Sequence, residues 1–138
     1  MTKSRSVPFI SLEGAKLLAA AAEAEALKRG WTIAVAVVDP TGGLVLFHSI
    51  DGTQPASQDI AIAKARTAAR LKRSTRTLED AVAGGRVSML SVFPDAVLLE
   101  GGVPIMHDGV IIGAIGISGM TSAHDGEIAA AALAAAAP

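Results

Sequence analysis

An α/β fold, α+β in detail, in which helices cover one antiparallel sheet of about five strands, is predicted by three features of the sequence. Turn signals cut the chain into short segments, β-branched runs of strand length sit between Ala/Leu runs of helical spacing, and the strands fall in pairs joined by tight turns. Hairpins pair antiparallel, and every apolar face has to be covered, so the helices lie on the faces of the sheet. A length of 138 residues suits one domain. Hydrophobic types make up 51% of the chain and aromatics 3%, so the core is built from Ala, Val, Ile and Leu. Phe9, Trp31, Phe47 and Phe93 are isolated large fillers.

Residues 1–10 read as a flexible arm and residues 11–138 as the domain. Ser11 and Glu13 open a helix that Gly30 closes. Leu17, Ala20, Ala21, Ala24 and Leu27 share helical spacing and read as its buried stripe, with Glu25 and Arg29 paired at i,i+4 on the wet side. Residues 33–38 are apolar throughout, which suits a strand buried on both faces. The turn Asp39-Pro40-Thr41-Gly42-Gly43 leads into a return strand over 44–48. Asp51-Gly52-Thr53-Gln54-Pro55 breaks the chain, after which Ser57 can cap a helix reaching about Arg73.

A short helix over 75–83 stops at Gly84-Gly85, and residues 87–92 read as helix rather than strand. Residues 97–99, 103–106 and 110–118 read as strands, the last two joined by the hairpin signal Asp108-Gly109. The final helix starts near Thr121 or Ser122, where Ser122-Ala123-His124-Asp125 has capping-box spacing. From Ile128 to Ala137 that helix is almost wholly Ala and Leu, with little polar face, so a second copy of the chain is expected to bury part of it.

The formal charge is −1, with 12 basic and 13 acidic residues, and aromatic platforms are scarce, which argues against nucleic acid as a partner. The absence of cysteine removes disulfides, thiolate metal sites and cysteine nucleophiles, and fits a reducing, cytoplasmic setting. No apolar run reaches the ~20 residues of a membrane span, and no signal-peptide pattern opens the chain.

Among the polar residues Lys64 is the anomaly. It shares an arc with Ile60, Ala61, Ala68 and Leu71, so its ammonium must meet a partner: an anionic ligand, or a structural carboxylate such as Asp39 or Asp51. Arg66, Arg70 and Arg73 lie on another arc and read as a solvated face. His48, His107 and His124 lack metal-ligand spacing, so no metal site is predicted. One of them could be an axial haem ligand, with Met106 or Met120 as a second. Ser118, Gly119, Met120, Thr121 and Ser122 run from a strand end into a helix start, where free N–H groups suit a carboxylate. The Gly-rich pieces 101–102 and 113–116 match no phosphate loop and read as tight turns and close strand packing.

The serial motifs Val37-Val38-Asp39-Pro40-Thr41-Gly42-Gly43, Asp51-Gly52, Ser57-Gln58-Asp59-Ile60-Ala61 with Lys64 and Arg66, Gly101-Gly102-Val103-Pro104-Ile105, and Asp108-Gly109 through Gly119 resemble the GlcG/HbpS family, which includes the PduO C-terminal domain. The resemblance implies a profilin-like α-β-α fold, a symmetric homo-oligomer and a small pocket, with haem as a possible cofactor. Ser49 and Thr53 depart from it, standing where the family pattern has Arg and Ala around the Asp-Gly pair.

The reading is a small-molecule-binding protein that takes haem or a small carboxylated metabolite near a subunit interface. His48, Asp51, Lys64, Ser118, Gly119, Thr121 and His124 are its candidate ligand contacts. The alternatives are an enzyme using Lys64, His48 or His124 as acid or base, and a non-catalytic accessory subunit.

Overall fold

The computed structural model describes residues 2–136. In chain order the elements are α1 (Leu12–Arg29), β1 (Ala34–Val38), β2 (Leu44–Ser49), α2 (Ala56–Leu71), α3 (Thr75–Ala83), a 3-10 turn (Val87–Ser91), β3 (Gly102–His107), β4 (Val110–Ser118) and α4 (Ser122–Ala135). The strands form one antiparallel sheet in the order β2-β1-β4-β3. Four strands pair, not five. The run 97–99 is held by α2 instead: the Val97 N–H donates to the Thr67 hydroxyl at 3.1 Å and Leu98 is buried, so the segment satisfies itself without a ladder.

The alternation of side chains along each strand separates two cores. Val35, Val37, Ile115 and Ile117 face α1 and α4, whereas Ala34, Ala36, Val38 and Ala114 face α2. The α2 side is lined with small residues because the helix backbone lies almost on the sheet. A Cβ on Gly116 would strike the Ala61 carbonyl, and one on Gly102 the Lys64 carbonyl. The Gly-rich pieces are therefore packing surfaces, as the sequence suggests.

Turn chemistry sets the hairpins. Asp108 and Gly109 have φ values of 49° and 76°, the two positive dihedrals of a type I′ turn. In the first hairpin the Asp39 carboxylate accepts from the N–H groups of Thr41 and Gly43 and from the Thr41 hydroxyl. Burial raises the Asp39 carboxyl, but these bonds and that from Gly42 outweigh it and hold the group below the usual aspartate value.

Three local expectations are corrected. The buried face of α1 is Ala15, Leu18, Ala19, Ala22 and Ala26; of the stripe read as core Ala21 packs partly against it and the rest points outward, with Leu17 61% and Leu27 80% exposed. Apolar residues surround this helix, so periodicity alone does not choose a face; the small Ala side chains win because they let α1 approach the sheet closely. The cap of α2 is Pro55, and Ser57 lies buried inside the first turn, where its hydroxyl accepts from the Gln54 amide. The cap of α4 is Thr121, whose hydroxyl accepts from the His124 N–H. Of the Ala-rich stretch 128–137, Ala137 lies outside the described residues.

Candidate functional site

The two ends of the sheet are built differently. At the Ser118 end, Lys64 and Asp125 are both 2% exposed. The Lys64 ammonium donates to the Ile117 carbonyl at 2.9 Å and to Asp125 Oδ2 at 3.0 Å. Asp125 Oδ1 accepts the Met120 N–H at 3.0 Å. Lys64 and the strand-to-helix turn come together here, and the carboxylate between them is the chain's own. The partner is Asp125, not Asp39 or Asp51, because the long Lys64 side chain reaches the Ile117 carbonyl near the end of β4 and, beside it, the first turn of α4. Burial pushes the Asp125 carboxyl above the usual aspartate value, opposed by the Lys64 charge and by the N–H groups of Met120 and Gly119.

The other candidates are scattered about this end. Ser118 is buried at the strand terminus, Gly119 has φ 147°, and Thr121 is spent as the cap. His124 stacks on Trp31 with ring centroids 4.2 Å apart, and Arg29 sits 5.0 Å from the Trp31 ring. The His124 Nδ1 atom is buried with no hydrogen-bond partner among the described residues. Asp51 is exposed in the turn after β2. His48 lies apart, on β2, with Nδ1 2.6 Å from Glu23 on α1. Arg66 and Arg70 reach back to the Gly42 and Thr41 carbonyls and so brace the first hairpin.

The opposite end is open. A β-bulge sets Ile105 opposite Gly113 and Met106 opposite Ile111, leaving Ile112 without a partner on β3. Its carbonyl accepts the Ile10 N–H at 2.8 Å, which ties down the arm. Ile10 joins the core, one residue inside the stretch read as arm. Two cavities flank this anchor. One, of about 530 Å³, is walled by Phe9, Leu17, Leu18, Ile105 and Leu133, with Met106 and His107 at the β3 end. The other, of about 790 Å³, lies beneath residues 5–9, and Phe9 and Met106 border both. His107 Nε2 lies 3.3 Å from Asp108 Oδ2, both side chains being more than half exposed.

Among the described residues no three His, Cys, Asp or Glu side chains are grouped as a metal site, and no helix is long and apolar enough to cross a membrane.

A family model described as "Haem degrading protein HbpS-like" matches residues 10–134. The chain belongs to the HbpS-like family. Protein GlcG of Escherichia coli (strain K12) is 41% identical to this HbpS-like chain over 110 residues, covering 80% of it and 81% of GlcG. The crystal structure of Klebsiella pneumoniae protein ORFY superposes with a TM-score of 0.92 at 32% identity, covering 99% of this chain and 96% of that one. The PduOC:heme complex superposes with a TM-score of 0.82 at 31% identity, covering 92% and 94%.

Sequence reasoning named His107 and Met106 only as possible haem ligands and missed the groove that holds them. Its walls come from the arm, α1, β3, β4 and α4, and no local pattern links them. The one available signal was the hairpin turn itself, which fixes where residues 106 and 107 must lie.

Proposed function

We propose that this protein binds haem in the groove beside His107, as a homo-oligomer whose subunits meet next to that groove. The observation that carries the reading is an apolar groove with an imidazole at its edge. Haem asks for apolar walls and an axial donor, and the residues present fit. The contact between His107 and Asp108 is exposed, so the imidazole can leave it at small cost. When bound, haem supplies the iron chemistry; the chain supplies the walls and the imidazole. The family, and the heme complex solved for PduOC, support the choice over another apolar ligand.

Self-association is supported by the outer face of α1. Leu17, Ala20, Ala24 and Leu27 are exposed and recur at three- and four-residue intervals, the spacing of a helix-pairing seam. Leu17 also lines the groove, which brings ligand and partner subunit together. The absence of cysteine supports a cytoplasmic location. In this reading Lys64, Ser118, Gly119 and Thr121 are framework, as are His48, Asp51 and His124.

Titration of the pure protein with haemin tests the proposal. A Soret shift that saturates at a stoichiometric ratio is expected, with native mass spectrometry showing haem carried on an assembly of more than one chain. No saturable shift would overturn the haem reading and leave the small-metabolite, enzyme and accessory-subunit alternatives.

A further inference from the structure

The larger cavity calls for a different ligand. It lies where the first hairpin turn, the end of α2 and the tip of the β3–β4 hairpin meet, with residues 5–9 laid across them. Its walls are largely apolar, from Val7, Phe9, Met106, Val110 and Ile111. Its only charged lining residues are two cations, Arg5 and Lys72. Neither forms an ion pair among the described residues, and no carboxylate lines the cavity.

Lys72 caps α2 in the left-handed region at φ 56°, a conformation that glycine adopts without strain. A lysine is held there against its backbone preference, and it borders the cavity. An open apolar groove flanked by two exposed cations that form no ion pair among the described residues matches a ligand with an apolar body and one anionic head. A phosphate or nucleotide would want more polar walls, and a neutral hydrocarbon would leave the cations without use.

The geometry points to an amphiphilic carboxylate, an alkanoate, bound with its tail on Phe9, Met106, Val110 and Ile111 and its head between Arg5 and Lys72. The head-group contacts are separate from the haem reading, because Arg5 and Lys72 line this cavity and His107 the other, while Phe9 and Met106 border both.

Calorimetric titration with decanoate and with decanol below their aggregation limits tests this. Decanoate should bind about tenfold or more tightly than decanol, since only the acid meets the cations. Each added methylene from octanoate to decanoate should tighten binding about fourfold. The double variant Arg5→Gln/Lys72→Gly should lose the preference for the acid and keep its affinity for decanol, with glycine at position 72 relieving strain so that the fold is kept. His107→Ala should leave decanoate binding as it is. Equal affinity for acid and alcohol in the native protein, an unaltered preference in the double variant, or loss of decanoate binding in His107→Ala would each overturn the proposal.

Discussion

The two ends of the sheet use their polar groups in opposite ways. At the Ser118 end, ammonium, carboxylate, strand carbonyl and turn N–H satisfy one another, so the Lys64–Asp125 pair offers no free charge to a ligand, and the buried Nδ1 of His124 is left without a partner among the described residues. At the hairpin end, His107, Arg5 and Lys72 border cavities with exposed or absent partners. A buried charge in a sequence marks a place where the fold must supply an answer, and here the answer is internal. In the proposed function, binding falls to residues at the other end that the fold leaves unpaired or exposed.

The strongest way to break this contrast is to remove one side of the closed end. Asp125→Ala strands the Lys64 ammonium in a nearly dry site and should cost about 3 kcal/mol or more in denaturant unfolding. The double replacement Lys64→Met/Asp125→Leu should recover most of that loss, because an apolar pair of similar size needs no solvation. A loss under about 1 kcal/mol in the single variant would mean that the pair is not buried as described.

Next in size is the seam between α2 and the sheet. Gly116→Ala would drive a methyl into the Ala61 carbonyl and should destabilise by about 1–3 kcal/mol, read by the same unfolding curves. A neutral result would show that α2 can lift off, and that the small-residue face does not set its distance.

The outer face of α1 sharpens the comparison from the open side. Leu17→Glu/Leu27→Glu should shift the assembly to smaller species in sedimentation while moving the unfolding free energy of the separated chain by about 0.5 kcal/mol or less, as both residues are exposed in it. Unchanged sedimentation would place the subunit contact elsewhere.

The smallest effect concerns Asp39. Its folded value lies below its unfolded one, so the ionised carboxylate stabilises the fold above the ordinary aspartate range, and the contribution disappears as pH falls through the folded value. Asp39→Asn should therefore be less stable than the native chain at neutral pH, with the gap narrowing in acid. A gap that widens in acid would contradict the sign.

Much of the frame was legible in sequence because local chemistry decided it. The end of α3 follows from Gly84-Gly85, the type I′ turn from Asp108-Gly109, and the doubly buried β1 from its unbroken apolar run. What was not legible depended on distant contacts. The Ala-rich α1 offered several faces, and the sheet selected the one with the smallest residues. Leu98 looked like a strand residue until Thr67 gave its neighbour a hydrogen bond. Lys64 announced a partner but not its identity, because Asp125 lies 61 positions away. The grooves were least visible, since each lining residue is ordinary and only the bulge at Ile112 brings arm, hairpin and helices together.

One comparison tests the assignment of binding to the open end most directly: haemin affinity, read from the Soret band, in His107→Ala, His124→Ala and His48→Ala side by side. His107→Ala alone should bind about tenfold or more weakly, as expected for loss of an axial donor. Full affinity in His107→Ala, with loss in His124→Ala, would put the ligand at the Ser118 end instead.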